Sequence, residues 1–431
     1  MIYINLKVDY GKTGLIISLD PKWNVEVLKQ KPQHILKNPL QIIQDKVKHP
    51  VGSPSLKQIV MEKGHVEKVC IVSSDSTRPV PSYILLEALI NELNNYGILD
   101  SQIIILIATG LHRPSREVER ENILGKKLYG RIECVDHKAT DMNNLTSLGE
   151  SKKGIPICIN KHYLESDIKI LTGYVEPHFF FGFSGGCKSI VPGIAGASTI
   201  QANHSAQLIA SVNSRFGNYQ DNLMYSNSME IASITGVDFI VNVCIDEQHQ
   251  ITNVAAGSLE VAHDLLVQYQ LKKVFSPIKK PYDIVVCGNG GFPLDLNLYQ
   301  AVKSMAIGEM GVKQGGTIIS VNECSDGISM GQDEFRNLLF SGMTPEELYQ
   351  KILNMEIVVP DQWEIQVLTR VLQKAEIYVV SELREGELGN IGLKCAQTVE
   401  NAIIEGLKKH GPDAHILILP HGPQIIPHIK P

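Results

Sequence analysis

Val69-Cys70-Ile71-Val72-Ser73-Ser74 is a continuous apolar run that ends in two serines, and QIIILIA forms a similar run at residues 102–108. Residues 83–96 between the two runs have the pattern of a helix. Strands that lack polar alternation are buried on both faces, and a strand–helix–strand order joins parallel neighbours. This stretch therefore predicts an α/β domain with a mainly parallel sheet flanked by helices.

The same pattern continues beyond this stretch and is then repeated. The predicted elements are a hairpin at 2–8 and 15–19, further strands at 168–171, 239–245, 283–288, 316–321, 376–380 and 414–419, and helices from about 297, near 332–353 and at 362–374. A chain of 431 residues is too long to fold around a single hydrophobic core. We therefore expect an N-terminal cofactor-binding α/β domain at 1–271, a linker at 272–281 rich in lysine and proline, and a C-terminal α/β domain at 282–431.

The composition excludes several classes of protein. Lys and Arg total 40 against 46 Asp and Glu, a net charge of −6, which argues against a nucleic-acid binder held by phosphate contacts. No apolar run approaches membrane-spanning length, and no signal segment is recognised at the N-terminus. The eight cysteines are scattered without a CxxC pair, as expected of reduced thiols. The sequence thus predicts a cytoplasmic protein that binds neither nucleic acid nor membrane.

Unusual polar loops follow four of the predicted strands. They are Asp75–Pro79 (DSTRP), Thr109–Pro114 (TGLHRP), Gly173–Lys188 and Gly288–Asp295 (GNGGFPLD). In open parallel sheets, ligands bind at the carboxyl ends of the strands. We therefore expect the loops to converge on an active site in a cleft between the two domains.

The loop at Gly173–Ser189 (GYVEPHFFFGFSGGCKS) contains the largest group of residues suited to catalysis or ligand binding. Apolar rings, a glycine-rich turn, His178 and Lys188 together are typical of a pocket lining. His204 follows shortly afterwards. Residues 182–189 nearly match the phosphate-binding GxxxxGK[ST] motif, but Cys187 stands where glycine belongs. The three histidines His112, His178 and His204 lack the spacing of a conventional zinc site.

Other candidates have a plain structural interpretation as well as a functional one. Asp75 and Arg78 fit a capped turn, although arginine is also suited to binding a carboxylate as a fork. Gln300 and Lys303 share a helix face, which is either solvated or an anion-binding pair. Trp363 is interpreted either as a core residue or as a site residue.

Jointly, these motifs resemble the nickel-dependent lactate racemase family, a group of 2-hydroxyacid racemases and epimerases. The resemblance covers most of the chain. The motifs that carry it are Asp75–Pro79, Thr109–Pro114, Glu176–Gly193, Asn203-His204, Gly290–Lys303 and Asp361–Trp363. One departure is Cys187, where family members often have arginine.

The resemblance implies a role for each matching residue. Lys188 would be joined covalently to a pincer nickel nucleotide derived from nicotinic acid, and His204 would coordinate the nickel. His112 and His178 would act as bases on opposite faces of the substrate. Further cofactor contacts are assigned to Asp75, Thr77 and Tyr299, and substrate contacts to Arg78, Gln300, Lys303 and Trp363. The implied partners are a small 2-hydroxyacid and separate enzymes that synthesise the cofactor.

Elementary chemistry is consistent with this resemblance. Removal of a proton from carbon 2 would build a carbanion beside a carboxylate. Removal of a hydride instead gives a neutral ketone, with a base to take the hydroxyl proton and a cofactor to store the hydride. The expected reaction is inversion of carbon 2 of a 2-hydroxyacid, with the acid itself not identified. Two alternatives stay open: a P-loop-like nucleotide-binding enzyme, and a non-catalytic homologue that binds nickel or nucleotide.

Overall fold

The computed structural model describes residues 4–329 and 331–429, and the chain divides into two compact units. The first, which we call the inserted unit, comprises Gln33–Leu208 and Val212–Leu271. The second, the split unit, comprises the described residues up to Pro32, the short segment Ile209–Ser211 and the chain from Lys272 onward.

Three strands precede the inserted unit in the chain, and most of the helices and strands that follow them belong to that unit. The three strands are β1 (Ile4–Val8), β2 (Leu15–Leu19) and β3 (Asn24–Val27). Residues 33–273 contain α1 (Pro39–Lys48), α2 (Leu56–Lys63), β4 (Val69–Ser74), α3 (Ser82–Asn95), β5 (Ile103–Ala108), α4 (Glu117–Leu124), β6 (Glu133–Asp136), β7 (Leu145–Glu150), β8 (Pro156–Asn160), α5 (Lys161–Leu164), β9 (Ile168–Tyr174), β10 (Pro177–His178), β11 (Gly182–Phe183), α6 (Ala197–Asn203), α7 (Ala206–Ala210), α8 (Leu223–Thr235), β12 (Phe239–Ile245), β13 (Ile251–Gly257) and α9 (Leu259–Lys273).

The later elements are β14 (Phe275–Ile278), β15 (Tyr282–Gly288), α10 (Leu298–Gly311), β16 (Val312–Val321), α11 (Asp333–Leu339), α12 (Pro345–Leu353), α13 (Gln362–Lys374), β17 (Glu376–Val380), β18 (Leu393–Cys395), α14 (Val399–His410), β19 (His415–Leu419) and β20 (Ile426–Ile429). Short 3-10 turns cover Asp100–Gln102, Met142–Asn144, Gly186–Ser189 and Glu385–Glu387. No helix within residues 4–329 and 331–429 combines the length and the apolar character needed to cross a bilayer.

The inserted unit is built on a six-stranded sheet with the order β13-β12-β9-β4-β5-β6. All neighbours are parallel except β13, which returns antiparallel to β12. Ile71 on β4 and Ile105 on β5 are fully buried in one core with Leu85 and Leu89 of α3. This confirms the predicted strand–helix–strand arrangement, because the apolar runs are covered on their faces as a parallel sheet requires.

The split unit contains a second six-stranded sheet, all parallel, with the order β18-β17-β16-β15-β19-β3. Helix α14 covers it through Val399 and Ile403, which share one buried core with Ile284 and Ile416. The predicted α/β class, with mainly parallel sheets flanked by helices, is therefore confirmed for both units.

The units divide the chain differently from the boundaries predicted at 1–271, 272–281 and 282–431. The N-terminal residues join the split unit because β3 pairs with β19, with Asn24 opposite His415. The predicted linker contains β14, which pairs in parallel with β20. The predicted hairpin forms as β1 and β2 from residue 4 onward, and residues 2 and 3 lie outside the described residues.

Candidate active site

The loops after β4 and β5 place Asp75 beside His112. The Asp75 carboxylate is buried, and its Oδ2 lies 2.7 Å from Nδ1 of His112, whose side chain is half-exposed. The other oxygen, Oδ1, accepts hydrogen bonds from the hydroxyl and the backbone N–H of Thr77, at 2.6 and 3.2 Å. These contacts arise because β4 and β5 are parallel neighbours that end at the same edge of the sheet.

The pKa of Asp75 determines which nitrogen of His112 carries the proton. Burial alone would raise this pKa, but the hydrogen bond and charge of His112, the hydroxyl of Thr77 and the charge of Arg78 together lower it. The carboxylate is therefore ionised near neutral pH and accepts a hydrogen bond from Nδ1–H. In neutral His112 the lone pair is consequently on Nε2, the arrangement of a general base oriented by a carboxylate.

The two Arg-Pro pairs of the sequence are used differently. The backbone N–H of Arg78 donates to the carbonyl of Asp75 at 3.2 Å, which closes the turn after β4. Arg113 forms a two-pronged ion pair with Glu119 at 2.6 and 2.8 Å. The guanidinium of Arg113 is thus engaged by Glu119, and the substrate contact of Arg78 stays a prediction.

His178 lies in a small hairpin between β10 and β11 and is surrounded by phenylalanine rings. It is buried, and its ring centroid lies 4.9 Å from that of Phe179 and 4.6 Å from that of Phe180. The backbone N–H of Phe181 donates to Nδ1 of His178 over 3.3 Å. Because Nδ1 accepts this bond, neutral His178 carries its proton on Nε2, the opposite tautomer from His112.

Phe180 contacts three of the predicted site residues. Its ring packs edge-on against His178 and also against His204, at a centroid distance of 5.5 Å. Nζ of Lys188 lies 5.8 Å from the centroid of Phe180 and 5.1 Å from that of Phe181. The structure therefore assembles His178, Lys188 and His204 around one buried ring.

His204 is buried at the end of α6, and Nδ1 lies 3.0 Å from the carbonyl oxygen of Ile200. A carbonyl only accepts, so Nδ1 carries the proton and Nε2 the lone pair. Burial first, and then the charge of Lys188, lower the pKa of His204 to about 4. A neutral histidine fixed in one tautomer by a backbone carbonyl is the usual form of a metal ligand.

Lys188 lies on the 3-10 turn Gly186–Ser189, and Gly185 precedes it at φ +76°. A P-loop needs a long strand followed by a helix. Here the preceding strand, β11, has two residues, so the geometry differs from that of a P-loop. Cys187 is fully buried, and burial raises the pKa of its thiol.

Two backbone hydrogen bonds connect this turn to the loop of His112. The N–H of Gly193 donates to the carbonyl of Lys188 at 3.2 Å, and the N–H of Gly110 donates to the carbonyl of Gly193 at 3.0 Å. A Cβ on Gly193 would lie 2.2 Å from the carbonyl oxygen of Ser189, so only glycine allows this approach. The His112 and Lys188 segments are thus held to each other through main chain.

The remaining predicted residues lie in the split unit on α10 and α13. Asn297 caps α10 by accepting from the N–H of Gln300, and Nζ of Lys303 donates to Oε1 of Gln300 at 2.6 Å. This contact fits the predicted pairing of the two side chains on one helix face.

Tyr299 and Trp363 also lie close together in the split unit. The Tyr299 hydroxyl donates to Asp361 at 3.2 Å. Burial, then the charges of Glu364 and Asp361, raise the pKa of Tyr299, and a hydrogen bond from Trp363 opposes the rise. The roles predicted for Tyr299, Gln300, Lys303 and Trp363 stay predictions.

One supporting residue, Asn242, was not predicted from the sequence. Oδ1 of Asn242, on β12, accepts the N–H of Gly186 at 2.8 Å and so helps to shape the turn before Lys188. A polar residue in an apolar strand is a weak indication of such a role. Within the described part of the chain, no group of three or more His, Cys, Asp or Glu side chains is arranged to hold a metal ion.

Comparison with known proteins shows the family to which the chain belongs. The lactate racemase N-terminal domain model matches residues 10–217, and the lactate racemase C-terminal domain model matches residues 278–426. A lactate racemase of Lactiplantibacillus plantarum is 36% identical over 389 residues, which cover 90% of each chain. One of Thermoanaerobacterium thermosaccharolyticum is 33% identical over 427 residues, covering 98% of this chain and 99% of the relative.

Solved structures extend the comparison to three dimensions. The lactate racemase apoprotein from Thermoanaerobacterium thermosaccharolyticum matches with a TM-score of 0.91 at 32% identity, covering 99% of this chain and all of that one. A protein from Thermotoga maritima, 18% identical with a TM-score of 0.68, covers 93% of this chain and all of its own, and shows the fold alone. The two domain models and the two relatives establish that the chain belongs to the lactate racemase family and is an isomerase.

Proposed function

We propose that this enzyme racemises lactate or a related 2-hydroxyacid by reversible hydride transfer to a nickel pincer nucleotide bonded to Lys188. The observation that carries the proposal is the contact of one ring, Phe180, with His178, His204 and Lys188. An acid–base group, a metal ligand and a point of covalent attachment would thus be assembled in one buried place. The names of the two relatives support lactate as the first substrate to test.

The residues present fit such a cofactor. His204 is neutral, with its lone pair on Nε2, as a nickel ligand must be. Lys188 lies against the rings of Phe180 and Phe181, which would shield a bound group from water. When bound, the cofactor would supply the centre that takes up and returns the hydride. From the family resemblance we infer that separate enzymes synthesise this cofactor and that the chain depends on them for maturation.

In their neutral forms the two histidines are held in opposite tautomers. His112 offers an unprotonated Nε2 because Asp75 holds its other nitrogen, whereas His178 offers Nε2–H because Phe181 donates to its Nδ1. We propose that Nε2 of His112 takes the hydroxyl proton from one enantiomer, which leaves His112 as an imidazolium. His178 would give a proton to the ketone oxygen, to form the other enantiomer, from its imidazolium form and so become neutral, which requires the Phe181 N–H contact to open when Nδ1 is protonated. In the reverse reaction His178 removes the hydroxyl proton and His112 returns one.

The substrate carboxylate is assigned to cationic residues. Arg78 lies on the turn held by Asp75 and presents a fork suited to a carboxylate. Lys303, paired with Gln300, is proposed to contribute a second positive charge. Trp363 is proposed to contact the substrate, and Asp75, Thr77 and Tyr299 are proposed to contact the cofactor.

The decisive experiment combines intact mass with a stereochemical assay. The chain, produced together with cofactor-synthesis enzymes, is expected to carry a covalent adduct and to racemise one member of a panel of 2-hydroxyacids. Lys188→Ala should abolish both. The matched control is Lys169→Ala, because Lys169 also lies over an aromatic ring, that of Tyr163 at 5.5 Å. An adduct that persists in Lys188→Ala, or a loaded enzyme that racemises no 2-hydroxyacid, contradicts the proposal.

A further inference from the structure

His263 on α9 is a buried histidine that the proposed mechanism does not use. Its Nε2 lies 2.9 Å from the carbonyl oxygen of Ser184, and its Nδ1 lies 3.4 Å from the hydroxyl of Tyr225. Because a carbonyl only accepts, Nε2 carries the proton and Nδ1 accepts from Tyr225. Both ring nitrogens are therefore engaged, and His263 has one defined tautomer.

The imidazole is also packed directly against the glycine turn. A Cβ built on Gly186 would lie 2.8 Å from Cδ2 of His263, so the main chain of the turn rests on the ring. Gly186 has φ +53°, and its N–H donates to Oδ1 of Asn242 at 2.8 Å. The N–H of Lys188 then donates to the carbonyl of Gly185 at 3.1 Å. His263 thus contacts the main chain at Ser184 and Gly186, and Gly186 lies two residues before Lys188.

His263 is also connected to Lys188 through two aromatic rings, those of Tyr225 and Phe181. The imidazole of His263 stacks on Tyr225, with centroids 5.9 Å apart and planes inclined by 19°. Tyr225 meets Phe181 edge-on at 5.8 Å, and Nζ of Lys188 lies 5.1 Å from the centroid of Phe181. The main chain and the end of the lysine side chain are therefore both connected to His263.

We propose that His263 is a positioning residue that fixes both the turn and the ammonium group of Lys188. An apolar side chain of similar volume would fill the same space but leave the buried carbonyl of Ser184 without its donor. The contacts of His263 do not depend on the proposed function. Their consequence for catalysis rests on the proposed role of Lys188 as the point of cofactor attachment.

The test compares two amide substitutions. Glutamine places its NH₂ group near the position of histidine Nε2, whereas asparagine is one carbon shorter and does not reach Ser184. The full-length protein without cofactor is treated with an acetylating reagent, and acetylation of Lys188 is followed by peptide mass spectrometry. Exposed Lys152 serves as the internal reference. We expect His263→Asn to change the Lys188 rate by about fivefold, the factor that corresponds to one hydrogen bond. His263→Gln should restore it.

Several results would overturn the inference. Equal Lys188 rates in the wild type and in folded His263→Asn contradict it, and so does a change that His263→Gln does not restore. If His263→Asn does not fold, Tyr225→Leu replaces it, since it removes the ring between His263 and Phe181. The same rate change is then expected, and an unchanged rate contradicts the inference.

The labelling experiment separates this inference from the proposed function. Acetylation of Lys188 is measured without any cofactor, so it reports on His263 whether or not an adduct ever forms. If the wild type never carries an adduct when produced with cofactor-synthesis enzymes, the proposed function fails and the labelling result stands. If the adduct forms, His263→Asn should slow its appearance in intact mass spectra while His263→Gln does not.

Discussion

Nδ1 of His112 is 2.7 Å from Oδ2 of Asp75, and the second oxygen of that carboxylate is occupied by Thr77. The carboxylate is thus held from both sides, and it orients a half-exposed imidazole whose other edge carries Nε2. A base in this arrangement depends on the charge of its partner as well as on its own position.

Replacement of Asp75 by Asn should therefore reduce turnover with little effect on folding. The amide is nearly isosteric but neutral, so it stabilises protonated His112 less well. We expect kcat of the loaded enzyme to fall by about 10²-fold, the lower end of the contribution of general acid–base catalysis. Thr77→Val, which removes one contact to the same carboxylate, should reduce kcat by a smaller factor. An Asp75→Asn enzyme with wild-type kcat would contradict the proposed dependence of His112 on the charge of Asp75.

His204→Ala should separate nickel binding from covalent attachment. The substitution removes the Nε2 ligand but leaves Lys188 in place, so the loaded protein should keep its adduct in mass spectra and lose nickel in elemental analysis. His65→Ala, at an exposed histidine of the same unit, is the control and should change neither. Full nickel content in His204→Ala would exclude His204 as a ligand.

Phe180→Ala should cost about 3 kcal/mol or more of unfolding free energy, because it opens a cavity beside three site residues. Denaturant unfolding measures this loss. Phe340, which is 39% exposed, offers a control that should lose less stability when it is replaced by Ala. A loss in Phe180→Ala no greater than the control would contradict the packing of this ring against His178, His204 and Lys188.

His137 makes stability depend on pH in a defined direction. It is buried, with Nε2 bonded to the carbonyl of Ala195 and Nδ1 to Asn160, and burial lowers its pKa to about 4. In the unfolded chain this histidine has a pKa of about 6.5. Its contribution to the free energy of unfolding should therefore be fully present above pH 6.5 and be lost as the pH falls towards 4. The decline for this one group is on the order of 3 kcal/mol.

His137→Gln should make the curve of unfolding free energy against pH less steep between these values. It should not become flat, because burial also lowers the pKa values of His204 and His263. An unchanged slope would mean that the folded and unfolded chains bind the His137 proton with the same pKa.

The Arg370–Glu309 pair of the split unit offers a test of folding that is independent of catalysis. Both side chains are 11% exposed, and the guanidinium meets the carboxylate at 2.7 and 3.2 Å. Arg370→Met alone should cost about 3–5 kcal/mol, because it leaves a buried charge without its partner. The double variant with Glu309→Leu should recover much of that loss in thermal unfolding. Equal stability of the single and double variants would contradict this account.

The sequence allowed the two sheets and most of the site loops to be predicted. Apolar runs such as Ile103–Ala108 are covered on both faces, and this burial is a local property of composition. The loops of Asp75 and His112 were also predictable, because parallel strands end at a common edge.

The remaining features depend on partners far away in the sequence. β3 has the short pattern NVEV, with partly exposed residues, and its assignment to the split unit depends on a strand 391 residues later. His263 lies 79 residues after Ser184 on a helix that shows no motif. Such pairings are set by tertiary packing, which a local pattern does not contain.

The pairing of β3 with β19 also orders events during protein synthesis. The inserted unit is complete once residue 271 has left the ribosome, whereas the split unit still lacks nearly its whole sheet. Strand β19 is synthesised long after β3, since 391 residues separate His415 from its partner Asn24, so β3 must remain unpaired until then. β3 is short and alternates polar with apolar residues. A longer, apolar strand left unpaired during synthesis would be open to pairing with another nascent chain.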